Sequence, residues 1–136
     1  EDAAEKFRET MQKQRLSEKE VQVVFCKGKD EYFSKFIEVL RATDILWTKP
    51  SELSFYAALG IPLLLSNPIG SQEVQNAKWL TRFGVAIQQL KVEHAKEWIP
   101  DFLNQGLFAE AAMQGFVEME RKGVENIMNV IESSGS

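Results

Sequence analysis

The chain has 136 residues, 44% of them hydrophobic and 26% charged, with 16 Lys and Arg against 20 Asp and Glu for a net charge of −4. That length fits one globular domain without room for a second full one, and the composition excludes disorder, collagen and coiled-coil arrays as the main architecture. A single cysteine (Cys26) excludes an internal disulfide framework and suits a reducing compartment, a single histidine (His94) excludes His-rich metal sites, and the acidic balance disfavours nucleic acid as a partner.

In chain order, residues 3–15 predict a helix, with Ala4, Phe7 and Met11 at helical spacing among charged neighbours. Leu16-Ser17-Glu18 reads as a polar connector, and the mixed-sign run from Lys13 to Lys19 as a solvated face. Val21–Cys26 is short, apolar and rich in β-branched residues, which predicts a buried strand ended by Gly28. Phe33, Phe36, Ile37 and Leu40 fall at i, i+3, i+4 and i+7 and predict an amphipathic helix. Ile45–Thr48 predicts a second buried strand. Pro50 then suits the first position of a helix running to about Leu59, with Gly60 as its C-terminal cap.

Pro62–Ser66, with three consecutive leucines, predicts a third strand. Asn67-Pro68-Ile69-Gly70 is loop chemistry, and Ser71 is expected to cap a helix that buries Val74, Ala77, Leu80 and Phe83 and stops at Gly84. Val85–Gln88 predicts a fourth strand. From His94 onward the pattern is helical, in stripes of Trp98, Ile99, Phe102 and Leu103, then Leu107, Ala111, Ala112 and Phe116, then Val124, Ile127, Met128 and Ile131, separated by Gly106 and Gly123.

Strands buried on both faces and alternating with helices imply an α/β fold, a Rossmann-like three-layer sandwich around a mostly parallel sheet of about four strands. The α/β domain is expected over residues 1–132, with 133–136 as a flexible tail. No apolar run approaches the ~18 residues of a membrane span, since the longest, Leu59–Leu65, contains Gly60 and Pro62. The start at Glu1, without Met, and the Ser-Ser-Gly-Ser end lead us to expect a piece of a longer protein.

In an open parallel sheet ligands bind beyond the carboxyl ends of the strands, and two such loops carry suitable chemistry. Thr48-Lys49-Pro50-Ser51-Glu52 combines hydroxyls, a lysine and a predicted helix start. It reads either as an anion site or as an ordinary helix start. The second is Asn67–Glu73 followed by Asn76. Gln72 and Glu73 precede Asn76 by four and three residues, a spacing that stacks side chains on one helix face. A carboxamide and carboxylate cluster beside a Gly-containing loop suits a polyhydroxylated ligand, because hydroxyls both donate and accept. An exposed, capped helix start accounts for it equally well.

Taken together, Thr48-Lys49-Pro50-Ser51-Glu52-Leu53, Ala57-Ala58-Leu59-Gly60-Ile61-Pro62 and Pro68-Ile69-Gly70-Ser71-Gln72-Glu73 with Asn76-Ala77 resemble the donor-binding C-terminal half of GT-B glycosyltransferases. The likeness is to the family 28-like branch that includes the lipid-linked N-acetylglucosamine transferase and diacylglycerol glucosyltransferases, and it covers about residues 40–90. The resemblance implies a nucleotide-sugar substrate, UDP-linked, with no cofactor and no metal. It implies Thr48, Lys49 and Ser51 at the diphosphate, Glu52 and Phe55 at the ribose and base, and Gly70, Ser71, Gln72 and Glu73 at the sugar, with Asn76 bracing that loop. Where the family carries glycine this chain has Lys49-Pro50, and where it often carries an acidic ribose ligand this chain has Phe55, leaving Glu52 one turn earlier as the substitute. The resemblance also implies an acceptor-binding N-terminal domain outside this chain, a catalytic base supplied by it, and therefore no transfer activity in this piece alone. The acceptor is unknown. We expect a cytoplasmic protein, peripheral to a membrane when intact, whose truncated sheet edge favours homo-oligomers. A non-catalytic binding module and a nucleotide-sugar epimerase are the alternatives.

The remaining residues carry less. His94, beside Glu93, reads as a surface histidine, and Cys26 as an inert apolar residue. Lys27, Gly28 and Lys29 read as a solvated turn. Trp47, Phe55 and Tyr56 offer base stacking or simply core packing. The absence of an Asp-x-Asp pair disfavours a metal-dependent transferase, and no Ser–His–Asp set can be assembled.

Overall fold

The computed structural model describes residues 2–13, 21–51 and 53–119, which fall into two compact units, Glu1–Thr43 and Asp44–Ser136. In the first unit, α1 (Asp2–Lys13) follows the predicted spacing, and the connector at 16–18 lies outside the described residues. The predicted strand at Val21–Cys26 is not one: the segment has no ladder partner among the described residues, and Val24 and Phe25 are exposed. β-propensity marks a segment that fits a pleated, half-buried surface, and without a neighbouring strand no ladder forms. Cys26 is accordingly a half-buried free thiol rather than the end of a buried strand.

The helix expected around Phe33–Leu40 is α2 (Lys29–Arg41). Gly28 is its N-cap, and Glu31, at its third position, accepts a hydrogen bond from the Lys27 backbone N–H (3.3 Å). The contact is similar to half of a capping box but reaches the residue before the N-cap, so an acidic side chain satisfies a backbone donor just outside the helix. Tyr32 stacks on Phe36 with ring centroids 5.7 Å apart, yet α2 has no buried residue, and Phe33 and Ile37 of its predicted buried face are exposed.

The second unit is built on three parallel strands, β1 (Leu46–Thr48), β2 (Leu63–Leu65) and β3 (Ala86–Gln88), hydrogen-bonded in the order β1-β2-β3. The register aligns Leu46, Leu63 and Ala86, and two residues on Thr48, Leu65 and Gln88. Alternation across the pleat sends Leu63 and Leu65 to one face and Leu64 to the other, and all three are buried. That is why three successive leucines suit the central strand of a parallel sheet. Each fully buried leucine contributes roughly 1.5–3 kcal/mol of apolar transfer.

Helices cover both faces. The β1–β2 crossover is α3 (Ser54–Ala58) and the β2–β3 crossover is α4 (Ser71–Arg82). Leu53, Ala57, Ala77 and Leu80 from this layer pack with Leu63 and Leu65. After β3 a 3₁₀ turn (Val92–His94) leads into α5 (Ala95–Asn104). Trp98 of α5 packs with Leu64 and Phe108 on the opposite face, and Ile87 and Phe102 close around them. The fold is thus α/β with a small open parallel sheet between helical layers, a partial Rossmann-like arrangement, with three strands among the described residues where four were predicted.

The last described helix, α6 (Leu107–Glu118), spans both layers, since Phe108 belongs to one cluster and Met119, just beyond its end, to the other. It packs under the turns that lead into β2 and β3: Ala112 and Phe116 lie against Gly60, and Gln114 lies against Gly84. Its buried stripe is Phe108, Ala111 and Gly115 rather than the predicted Leu107, Ala111, Ala112 and Phe116. The cause is the close crossing with α3, where a Cβ on Gly115 would collide with the Ala57 carbonyl. Gly60 and Gly84 end α3 and α4 at φ +77° and +69°, the left-handed caps expected of them. The stripe from Val124 to Ile131 lies outside the described residues.

Candidate functional site

The loops that follow β1 and β2 meet at one rim, the carboxyl end of the sheet, on side-chain and main-chain hydrogen bonds. The Thr48 carbonyl accepts bonds from the Ser66 N–H (2.8 Å) and the Ser66 hydroxyl (3.3 Å). Asn76 Nδ2, two turns into α4, reaches back to the Pro50 carbonyl (3.3 Å). Gln88 Nε2 donates to the Leu65 carbonyl (3.0 Å) and to Asn67 Oδ1 (3.3 Å), tying the third strand into the same rim. Trp47 Nε1 donates to Gln89 Oε1 (2.7 Å). These contacts join segments 18 to 42 residues apart in sequence. They tie the loops that follow the strands to one another and to α4.

The first loop differs from its sequence reading. Pro50 does not open a helix. It is buried, and the Ser51 N–H turns back onto the Lys49 carbonyl (2.8 Å) in a tight three-residue turn. α3 begins only at Ser54, with Leu53 as N-cap, and is five residues long. The rigid φ of proline here shapes a bend rather than a first helical turn. Any dipole support from α3 is therefore slight, and the Ser51 N–H is already occupied. Lys49 and Ser51 are exposed, Thr48 is half-buried, and among the described residues no carboxylate pairs with Lys49. Glu52 lies outside the described residues. Phe55 is exposed and packs edge-on to Tyr56 (5.6 Å).

The second loop also differs in detail. The N-cap of α4 is Gly70, with Ser71 the first helical residue, and no side chain caps the helix. Glu73 instead accepts a hydrogen bond from the N–H of Ile69, the residue before the N-cap (2.8 Å), the same contact that Glu31 makes at α2. Its carboxylate thus has a structural partner. Gln72 is exposed and Asn76 half-buried. Ala77 and Leu80 are buried as predicted, but Val74 is only half-buried and Phe83 is exposed, because the buried arc of α4 is narrow.

Between the first loop and α4 lies a cleft of 190 Å³ lined, among the described residues, by Ser51, Leu53, Ser54, Asn76, Trp79 and Leu80. Of the residues singled out in the sequence, the structure brings Ser51 and Asn76 into this cleft. Thr48, Lys49, Gly70, Ser71, Gln72 and Glu73 are not among the residues that line it. Ser54 and Trp79 were missed. Their signal was spacing, since each falls three residues after a residue already singled out, Ser51 and Asn76. A wider groove of 410 Å³ lies at the other end of the sheet, between Arg82, Gly84, Ala86, Glu110 and Gln114. In open α/β sheets the functional crevice is at the carboxyl ends, so position favours the smaller cleft over the larger groove. His94 is exposed, 3.6 Å from Glu97, consistent with a surface histidine. Among the described residues no cluster of acidic, His and Cys side chains is suited to a metal ion, and no helix is long and apolar enough to cross a membrane.

Comparison with known proteins places the chain in a family. Residues 1–129 match the family described as Domain of unknown function (DUF6938), and the chain belongs to it. It is also 29% identical over 93 residues to the processive diacylglycerol beta-glucosyltransferase of Bacillus pumilus (strain SAFR-032), an alignment covering 67% of this chain and 24% of that protein. A distant relative is therefore a glucosyltransferase, and the chain spans about a quarter of its length. No solved structure matches the chain.

Proposed function

We propose that the chain is the donor-binding part of a glycosyltransferase that moves a hexosyl group from a nucleotide-sugar, UDP-linked, to an acceptor hydroxyl. The observation that carries this reading is the Asn76–Pro50 bond, which ties the loop after β1 to the helix that follows β2 at the carboxyl rim. The likeness to a glucosyltransferase supports it from sequence.

In this reading Lys49 supplies the positive charge for the diphosphate, with the hydroxyls of Thr48 and Ser51 beside it. The dipole contribution moves from α3 to α4. α4 has twelve residues and no side-chain cap, so its first-turn N–H groups are left to accept a ligand's oxygens as partners. Glu73 holds that helix start in place and, with Gln72, borders the sugar. The acceptor hydroxyl would attack the anomeric carbon and the diphosphate would leave, its charge held by these groups. The base that takes the hydroxyl proton, and the acceptor itself, belong to a part of the protein beyond this chain. A non-catalytic module derived from the same fold is the second reading, favoured by the buried Pro50 and by Phe55 at the ribose position.

Thermal unfolding with UDP, UDP-glucose and UDP-N-acetylglucosamine separates the two. A donor at ~100 times its dissociation constant stabilises the chain by about 2.7 kcal/mol. Stabilisation by at least one nucleotide, abolished in Lys49→Ala, is the expected result. No stabilisation by any of the three supports the non-catalytic module.

A further inference from the structure

We infer that Gln88, the last residue of β3, is a positioning residue for the segment Ser66–Gly70, which leads into the proposed sugar-binding residues. The inference deepens the donor-binding reading, rests on it for the ligand, and keeps the sugar beside Gln72 and Glu73. Gln88 Nε2 donates to the Leu65 carbonyl (3.0 Å) and to Asn67 Oδ1 (3.3 Å). A carbonyl only accepts, so the Leu65 oxygen fixes which end of the Gln88 carboxamide faces it. That oxygen also takes the Gln89 N–H (2.9 Å), which occupies both of its lone pairs. Both hydrogens of the Gln88 amide are thus spent, one on the end of β2 and one on the loop just beyond it.

Each residue from Ser66 to Ile69 is restrained in its own way. The Ser66 N–H and hydroxyl bond the Thr48 carbonyl, and the Asn67 side chain is held by Gln88. The ring of Pro68 fixes its φ, and the Ile69 N–H donates to Glu73. Among the described residues the Asn67 side chain has no hydrogen-bond partner besides Gln88. The segment ends at Gly70, where a Cβ would meet no atom within 4 Å, so a ligand can approach the backbone there. A segment already ordered beside open space loses little conformational freedom when a ligand arrives, and that preorganisation raises affinity. Gln88 supplies the part of it that comes from β3.

Three variants of the chain test this. Gln88→Met keeps the side-chain length and removes the donors, Asn67→Ala removes the loop acceptor, and Asn67→Asp retains it. Without ligand, the backbone heteronuclear NOE at Ile69 and Gly70 is expected to fall in Gln88→Met and Asn67→Ala and to stay at the wild-type value in Asn67→Asp. Unchanged values in Gln88→Met overturn the inference. Titration calorimetry with UDP-glucose, at a temperature where each variant is fully folded, reads the consequence for binding. Gln88→Met is expected to weaken UDP-glucose about two- to tenfold, the equivalent of one neutral hydrogen bond. Gln88→Met combined with Asn67→Ala should bind no more weakly than Gln88→Met alone, because both changes remove the same contact. Wild-type affinity in Gln88→Met with a lowered melting temperature makes Gln88 a structural residue only and overturns the inference, as does additive weakening in the double variant. If UDP-glucose does not bind the wild type, the donor reading fails on its own, and the NOE values alone decide whether Gln88 orders the segment.

Discussion

Asn76 does more at the candidate site than any other single residue, because its carboxamide both ties the first loop to α4 and faces the cleft. Asn76→Ala removes a half-buried hydrogen bond and is expected to cost about 0.5–1.5 kcal/mol in chemical denaturation. Asn76→Asp keeps the shape but replaces the donor with an acceptor that faces the Pro50 carbonyl, so it should be at least as damaging. Glu73 separates structure from function differently. Its bond to the Ile69 N–H predicts that Glu73→Ala destabilises the chain without any ligand, while Glu73→Gln, which keeps an acceptor oxygen, restores most of that stability. If both variants denature like the wild type, the carboxylate has no capping role. A third residue-scale prediction concerns Lys35 and Glu38, which bond at 2.8 Å on the exposed side of α2. The hydrogen bond from Lys35, then its charge, holds the Glu38 carboxyl below the ordinary range, and the same contact raises the Lys35 ammonium. The pair's small contribution is present at neutral pH. It is lost as pH falls through the depressed Glu38 titration, and again as pH rises through the raised Lys35 titration. Carboxyl-carbon NMR should show the Glu38 midpoint moving up in Lys35→Met, and an unchanged midpoint would contradict the assignment.

At the scale of the elements, the crossing of α6 with α3 is the tightest constraint in the described residues. Gly115 is buried against the Ala57 backbone, where a side chain meets carbonyl rather than a yielding side-chain tip. Gly115→Ala is therefore expected to cost about 1–3 kcal/mol through overpacking, despite the higher helix propensity of alanine. A denaturation midpoint equal to the wild type would show that α6 can shift. The same crossing explains what the sequence left hidden. β2, α4 and the glycine caps at Gly60 and Gly84 were legible because leucine runs, helical spacing and positive-φ glycines are local signals. The buried stripe of α6 was not legible, because an apolar helix offers several candidate faces and only tertiary contact with Ala57 selects one. Pro50 misled for a related reason: proline at a helix start and proline in a buried bend look alike until the neighbouring N–H groups are placed. Val21–Cys26 has the composition of a strand, and what it lacks among the described residues is a partner, which no local pattern reveals.

For the whole molecule, the second unit divides its tasks between the two ends of the sheet. At the amino end α6 packs under the turns at Gly60 and Gly84 beside the 410 Å³ groove, while the carboxyl end carries loops linked by polar contacts. The loops of the candidate site were legible in the sequence because turn residues, lysine and amide clusters sit directly after apolar runs. The cleft was not, since it depends on Trp79 facing a serine turn 25 to 28 residues earlier in the chain, at Ser51 and Ser54. Binding of a nucleotide-sugar at this rim is tested by an amide-resolved NMR titration of the chain with UDP-glucose. Shift changes concentrated at Thr48–Ser54 and Ser66–Asn76, absent in Lys49→Ala, are the expected result. Changes confined to the groove near Arg82 and Glu110, or no changes at saturating ligand, would contradict it.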